Sequence, residues 1–551
     1  MIVTMKKILL SLLLGSSLGL IAQQRYVDEV FSQVIVDRDS SYAVNIDFLL
    51  SDFSNQAQVA ADVTAIKTAL AQGNPIPPQY FNPADPRTDV KVSELKMDIY
   101  RPSGDTATNR PLVIYIHTGN FLPPGINGGI IGSKNDSAAI VMCRKLARRG
   151  FVAIAPNYRL GWNPLDPSQA QRRAQLLNAV YRAIHDMKEL VRVSKANAST
   201  LGIDPDKVAF FGEGSGGYVA LAYATLDKWA EVEIPKFINP QTNTSFVDSN
   251  QVGNIEGLGG LLNLYQPNGQ NTDISFCLNM GGALADISWL EAGDPAMVSF
   301  HCVRDPFAPF SNGTVVVPTT QDDVVDVSGA NVFIPKANNL GNNNSFLNQT
   351  FNDPVTLAAR GRYGLTYQYI FPAPLDTIKV SNNAEGLFPV VRPLASSLFN
   401  NTRAPWQWWD PNGPIASDIL DPGPPVITYH MAGLASNPNM SPTFGRTYQD
   451  TILDYATPRM VYSLNLISTE EQNLLASELQ VFPNPARESV RISSNDPDLR
   501  LEQYHLRELS GRLVRSAAIE GPITMASLPQ GIYLLEVETN RGTAVQRLVK
   551  Q

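Results

Sequence analysis

The run Lys207-Val-Ala-Phe-Phe-Gly-Glu-Gly-Ser-Gly-Gly-Tyr-Val-Ala-Leu-Ala222 passes from a strand-like segment through four glycines into an alanine-rich, helix-like one. A strand that turns this sharply into a helix lifts one side chain to the top of a sheet, where a nucleophile can work. Ser215 is the hydroxyl at this turn, flanked by Gly214 and Gly216. Its ordinary alternative is to open the helix, because serine side chains cap helix N-termini. A second turn, His117-Thr-Gly-Asn-Phe121, follows the apolar run Pro111-Leu-Val-Ile-Tyr-Ile116. There the backbone N–H groups of Gly119 and Asn120 are placed to make an oxyanion hole, with His117 shaping the loop. Asp305 lies in His301-Cys-Val-Arg-Asp-Pro-Phe-Ala-Pro309, at the strand-end edge where open α/β sheets put their sites. His430 falls after the last expected strand. In a Ser215–His430–Asp305 triad the hydroxyl attacks, the imidazole takes its proton, and the carboxylate orients the imidazole. The competing roles are local: Asp305 closes a turn before Pro306, and His430 is a structural histidine.

The other reactive side chains read as structural. His301 ends a buried strand, and His185 sits beside Asp186 in a long helix, where it makes a hydrogen bond. The Trp406-Gln-Trp-Trp409 cluster either anchors a long segment to the core or lines a pocket for an apolar or sugar ligand. Three cysteines, Cys143, Cys277 and Cys302, are too few for a disulfide scaffold and lack metal-ligand spacing. A Cys277–Cys302 disulfide is compatible with an exported chain. There is no HExxH and no phosphate-binding loop, so no metal and no cofactor is expected.

The elements that must hold these residues alternate. Leu95-Lys-Met-Asp-Ile-Tyr100, residues 111–117, Phe151-Val-Ala-Ile-Ala155, Val208-Ala-Phe-Phe211, Ile274-Ser-Phe-Cys-Leu-Asn279 and Ala296-Met-Val-Ser-Phe-His301 read as strands. Helical spacing covers 57–71, 138–149, 169–196, 216–226 and 446–455. Buried strands alternating with helices predict an α/β fold, a doubly wound and mostly parallel sheet. Residues 311–430 are rich in Asn, Pro and Gly and read as a long irregular insertion.

Taken together, the elbow, the His117 loop and the Asp305 strand end resemble the α/β-hydrolase superfamily, its carboxylesterases and lipases in particular. Arg149-Gly-Phe-Val-Ala-Ile-Ala-Pro-Asn-Tyr-Arg-Leu-Gly161 and Leu201-Gly-Ile-Asp-Pro-Asp-Lys207 resemble the family's flanking segments. The resemblance covers residues 40–310 and 430–465, and implies an α/β-hydrolase fold and ester hydrolysis by serine acylation. It also exposes a departure. The family's Gly-Glu-Ser-Ala-Gly-Gly here reads Gly212-Glu-Gly-Ser-Gly-Gly217, so Gly214 falls at the nucleophile position and carries no hydroxyl. A register shifted by one restores Ser215 but puts Glu213 where the turn wants a small residue. Two functions follow: a serine ester hydrolase with an atypical elbow, or an inactive hydrolase fold that binds a ligand or partner at the surface.

Residues 479–551 alternate with period two between Gly and Pro turns and predict a small β-sandwich. The opening Phe482-Pro-Asn-Pro485, the segment Leu528-Pro-Gln-Gly-Ile-Tyr533 and the end Arg547-Leu-Val-Lys550 resemble the type IX secretion system's type A C-terminal sorting domain. That resemblance implies contact with the secretion machinery and export through a Gram-negative periplasm to the surface or the medium. Lys6-Lys7, an apolar run and small residues up to Ala22 form a signal peptide over 1–22. A hydrolase-like domain is expected over 25–465 and a linker over 466–478. With 43 basic and 51 acidic residues in 551, the chain is net acidic at −8. That argues against nucleic acid as a partner, and no later run is apolar enough for a transmembrane segment. The expected partner is a small-molecule ester or a surface ligand.

Overall fold

The computed structural model describes residues 25–316, 322–369, 376–394, 401–466, 478–494, 496–508, 512–540 and 542–551. The signal peptide and nearly all of the 466–478 linker lie outside them. The chain divides into two compact units, one ending at Leu464 and one spanning Asn465–Gln551.

The first unit is built on eight strands: β1 (Val34–Ile46), β2 (Val92–Pro102), β3 (Arg110–Ile116), β4 (Val152–Pro156), β5 (Ile203–Glu213), β6 (Phe276–Met280), β7 (Ala296–Cys302) and β8 (Leu387–Val390). Their order is β1-β2-β4-β3-β5-β6-β7-β8. The β1–β2 and β2–β4 pairs are antiparallel, and every later pair is parallel. Every residue of β3, β4, β6 and β7 is buried. This is why they read as unbroken apolar runs: a parallel strand covered on both faces has no wet side to alternate with. The main helices are α1 (Gln56–Ala71), α2 (Ser137–Arg148), α3 (Gln169–Ala196), α4 (Ser215–Thr225), α5 (Ala330–Leu340), α6 (Tyr429–Ser436) and α7 (Pro442–Ser463). Helix α3 packs on α4, and α2 packs on α7. Leu112, Ile114 and Ile116 of β3 share a core with Tyr181, Ile184 and Leu190 of α3 and with Val219 of α4. The doubly wound, mostly parallel sheet expected from the alternation is present.

Three expectations need correction. The 311–430 segment is not wholly irregular: it carries α5 and supplies β8, which pairs in parallel with β7. The reason it was hidden is Pro389 within Leu387-Phe-Pro-Val390, since proline argues against a strand except at a sheet edge, and β8 is the edge. The Cys277–Cys302 disulfide does not form, and all three cysteines are free and buried. Cys277 faces Met297 across the β6–β7 pair, and Cys302 lies a further ~16 Å along β7 at about 3.3 Å per residue, beyond disulfide reach. The last helix runs on to Ser463 despite Pro458.

The second unit holds β9 (Leu479–Phe482), β10 (Ser489–Ser494), β11 (Leu501–Glu508), β12 (Leu513–Ala518), β13 (Ile523–Thr524), β14 (Gly531–Thr539) and β15 (Gly542–Lys550). They form two sheets, β9-β10-β13 and β12-β11-β14-β15. Alternate residues Tyr533, Leu535 and Val537 of β14 point into a shared core with Val490, Leu506 and Leu548. The period-two reading of the tail is therefore its burial pattern. Among the described residues no helix is long and apolar enough to cross a membrane.

The site is held by one close approach. A Cβ on Gly216 would overlap the Ile116 carbonyl oxygen of β3, and one on Gly212 would overlap the Gly216 carbonyl oxygen. Gly216→Ala is expected to cost about 3 kcal/mol through overpacking, whereas Gly129→Ala, whose Cβ would meet only ordinary contacts of 3.4 Å and beyond at a φ outside the left-handed region, changes stability by no more than about 1 kcal/mol. Urea denaturation of both variants measures the difference.

Candidate active site

Strand β5 ends at Glu213 and α4 begins at Ser215, so Gly214 alone makes the turn, at φ 53° and ψ −116°. It is pinned on both sides. Its N–H donates to the Met280 carbonyl at 2.9 Å, and its carbonyl accepts the N–H groups of Gly217 and Tyr218 at 2.9 and 3.3 Å. Gly214 is thus the tip of the elbow, the unshifted register of the family motif. A Cβ built there would overlap Thr118 Oγ1 and lie 3.0 Å from Thr118 Cβ. The His117-Thr-Gly-Asn-Phe121 loop resembles the His-Gly-Gly-Gly-Phe oxyanion segment usual in carboxylesterases, and Thr118 stands at that segment's first glycine. Side-chain volume is missing on one wall of the cleft and present on the other.

Ser215 is the first helical residue, with Gly214 as the cap residue, so its hydroxyl does not cap the helix. It is 7% exposed, and its Oγ accepts the Asn120 N–H at 3.1 Å. That N–H was expected to line the oxyanion hole. The loop presenting it is strained and braced. Gly119, Asn120 and Phe121 all have positive φ, at 127°, 54° and 59°, a conformation that costs a non-glycine residue roughly 1 kcal/mol or more. The Trp162 indole N–H donates to the Asn120 carbonyl at 2.8 Å, and Gly161 N–H donates to that of Phe121 at 2.9 Å. Tyr158 donates to the His117 carbonyl at 2.9 Å and stacks on the His117 ring, centroids 4.4 Å apart. His117 Nδ1 donates to the Thr118 carbonyl at 2.6 Å, and burial pulls its pKa down to about 4. His117 is therefore a neutral brace of the loop.

The other two triad candidates stand apart. Asp305 Oδ1 accepts the N–H groups of Phe307 and Ala308 at 2.9 and 3.0 Å. Burial nevertheless pushes its carboxyl up to about 7. The nearest imidazole is that of His301, with Nε2 4.0 Å from Asp305 Oδ2. That nitrogen donates to the Ala308 carbonyl at 2.8 Å, and burial holds His301 near 4. His430 opens α6, and its Nδ1 accepts the Trp409 indole N–H at 3.2 Å. Among the described residues no hydrogen bond joins Ser215, Asp305 and His430.

Asp305 and the Trp406 indole both flank Gly281. A Cβ on Gly281 would be 3.8 Å from both Asp305 Oδ2 and Trp406 Cζ2. Trp406 is 1% exposed and follows β8 in the chain, the stretch in which a base was sought. Its neighbour Gln407 donates to Glu213 Oε1 at 2.9 Å, and Tyr115 donates to Glu213 Oε2 at 2.6 Å. Glu213 is fully buried directly before the elbow, and burial raises its pKa against the pull of these donors. Trp406, Trp408 and Trp409 are all buried, which is the anchoring role. His185, by contrast, makes no side-chain hydrogen bond to its neighbour, because Asp186 is taken by Arg159 and Tyr265. Thr118 was not singled out in the sequence, although its departure from the glycine of the resembled motif was the signal; Trp406 was read only as part of an anchoring or pocket-lining cluster, and its place near Asp305 was not read. Among the described residues no cluster of three or more His, Cys, Asp or Glu forms a metal site.

Residues 97–316 match the BD-FAE family, and residues 480–551 match the secretion system C-terminal sorting domain. Arylacetamide deacetylase-like 3 of Homo sapiens is 25% identical over 146 residues, covering 26% of this chain and 30% of that protein. The chain thus matches under a third of the curated relative's length. Among solved structures, Thermogutta terrifontis esterase 2 phosphorylated by paraoxon is 19% identical, with 40% of this chain and 69% of that chain covered and a TM-score of 0.28. The apo form of the same esterase is also 19% identical, covering 40% and 70%, with a TM-score of 0.27.

Two outcomes are expected. Gly214→Ser destabilises the protein by about 1–3 kcal/mol, because Thr118 must swing away, and adding Thr118→Gly restores part of the loss in denaturation midpoints. The Asp305 carboxyl, raised on folding, contributes stability that is complete below about pH 4 and lost as pH rises through 7. The melting temperature of wild type therefore falls relative to Asp305→Asn across that window, and parallel melts at pH 4 to 8 read it.

Proposed function

We propose that this esterase-like α/β-hydrolase-fold protein, exported by the type IX route that its sorting tail marks, binds a small-molecule ester or a surface ligand in the elbow cleft without acylating. The observation that carries the reading is Gly214 at the tip of the elbow with the Thr118 side chain in the nucleophile's space. An acyl-enzyme needs a hydroxyl or thiol there, an imidazole to take its proton, and free donors for the oxyanion. Here the tip is a bare α-carbon, the Trp406 indole flanks Gly281 together with the acid, and Ser215 Oγ holds the Asn120 N–H. If Ser215 were the nucleophile, the developing oxyanion would compete with Ser215 itself for that N–H. The ester class of ligand is suggested by the fold and by relatives described as an esterase and as deacetylase-like.

A fluorophosphonate probe and p-nitrophenyl butyrate, tested on wild type and Ser215→Ala, decide the matter. Neither protein is expected to label or to turn over ester above the buffer rate. Labelling or turnover that Ser215→Ala abolishes would sink the binding reading in favour of a serine hydrolase. Deleting residues 479–551 is expected to leave the chain inside the cell envelope, read by fractionation of an expressing strain.

A further inference from the structure

We infer that Thr118 has taken over the nucleophile's place as a hydrogen-bond donor, so that the cleft grips a neutral carbonyl oxygen between the Thr118 hydroxyl and the Asn120 N–H. The inference rests on the non-acylating reading and adds to it the group that is recognised.

The placement is set by adjacent residues. Thr118 Oγ1 occupies the spot where a Gly214 side chain would begin, and the Asn120 N–H meets the side chain of the next residue, Ser215, at 3.1 Å. Consecutive Cα atoms are about 3.8 Å apart, so the two donors address adjacent residues of the elbow, and both come from the same short loop. Thr118 is half-buried, and its hydroxyl has no hydrogen-bond partner among the described contacts. The Asn120 N–H is held in place by three consecutive positive-φ residues and by the Trp162 and Gly161 bonds to the same loop. Ser215 Oγ therefore stands as an internal substitute for a ligand oxygen, filling the hole when nothing is bound.

The surroundings select a neutral acceptor. No lysine or arginine bonds to Thr118, Asn120 or Ser215 among the described contacts. A carboxylate would be buried there without a cation to pair it, whereas an ester, ketone or amide carbonyl carries no charge to neutralise. Aromatic surface lies close by: Trp162 bonds to Asn120, and Phe307, 46% exposed, accepts from the Tyr218 hydroxyl through its carbonyl at 3.4 Å. The fitting ligand pairs an aryl or alkyl body with one carbonyl.

Phenylacetone, a ketone that cannot be hydrolysed, is the probe, with phenylacetate as its charged counterpart. Saturation-transfer NMR titrations of the full chain give dissociation constants. Saturable ketone binding is expected, at least five-fold tighter than phenylacetate. Thr118→Val, which keeps the shape and removes the hydroxyl, is expected to weaken the ketone about five- to ten-fold, the scale of one net hydrogen bond, while Thr118→Ser retains it. Ser215→Ala, the family's own residue at that site, vacates the hole and is expected to tighten binding several-fold. No saturable binding, or equal affinity in wild type and Thr118→Val, overturns the inference and leaves the non-acylating reading intact. Fluorophosphonate capture on Thr118 would overturn the donor role by making that residue a nucleophile.

Discussion

The contact on which the site depends is backbone against backbone, where the end of β3 meets the first turn of α4. Gly216 lies so close to the Ile116 and His117 carbonyls that no Cβ fits, and Gly212 is equally tight against Gly216. These two positions fix the register of the turn absolutely. Once they are fixed, Gly214 must be the tip, Ser215 must be inside the helix, and Glu213 must point down into the core. No side-chain adjustment exchanges these places, because the excluded atoms are main chain. A hydroxyl at 214 and one at 215 therefore occupy different places that no small displacement exchanges.

Below the elbow, polar groups carry the load that apolar packing carries elsewhere. Glu213 is buried and receives Tyr115 from β3 and Gln407 from the segment after β8. Asp136, at the start of α2, accepts the N–H groups of Gly132 and Ser133 at 2.8 and 3.2 Å, and burial pushes it up to about 8. Arg403 is the cation that faces both carboxyls, and it also lies over the Trp409 ring, 5.4 Å from its centroid. Gln407 in turn is tied through its carbonyl to Asn437, which meets Arg392 just beyond β8. This chain of bonds joins the elbow to the 401–437 segment, and it places Trp406, like Asp305, against Gly281. Buried polar groups of this kind are costly unless satisfied, so the segment is specified by the carboxyl it must satisfy.

The sheet was legible in the sequence because parallel strands buried on both faces leave unbroken apolar runs, as in β3 and β7, and glycine turns mark their ends. The tail was legible for the opposite reason, its one-sided strands alternating as in β14. Strand β8 was not legible: four residues with an internal proline look like a loop until β7 offers them an edge. The elbow's register followed from the sterics of glycine, but the occupants of the cleft did not. His430 matched the expected place of a base by chain position alone, and the fold directs its ring to Trp409. Ser215 was read either as nucleophile or as helix cap, and its hydroxyl serves the Asn120 N–H. Both outcomes turn on which partners converge in space, and single positions carry no trace of that.

The three departures at the cleft belong together when read as volumes. Where the carboxylesterase motifs that these segments resemble carry a serine and a glycine, this chain has Gly214 and Thr118, and the Trp406 indole flanks Gly281 together with Asp305. Removing a side chain from a packed wall leaves a cavity whose cost rises with its volume, and the Thr118 side chain fills the one that Gly214 leaves. The packing is thereby kept, with a hydroxyl supplied from the loop that faces the elbow rather than from the elbow's tip. A fold whose sterics are set by main-chain contacts tolerates that trade, since Gly212 and Gly216 hold the turn whatever side chain stands at its tip. The main-chain geometry of the elbow and its facing loop is thus independent of which side chains stand at 214 and 118, and those two side chains alone decide what a group entering between them meets.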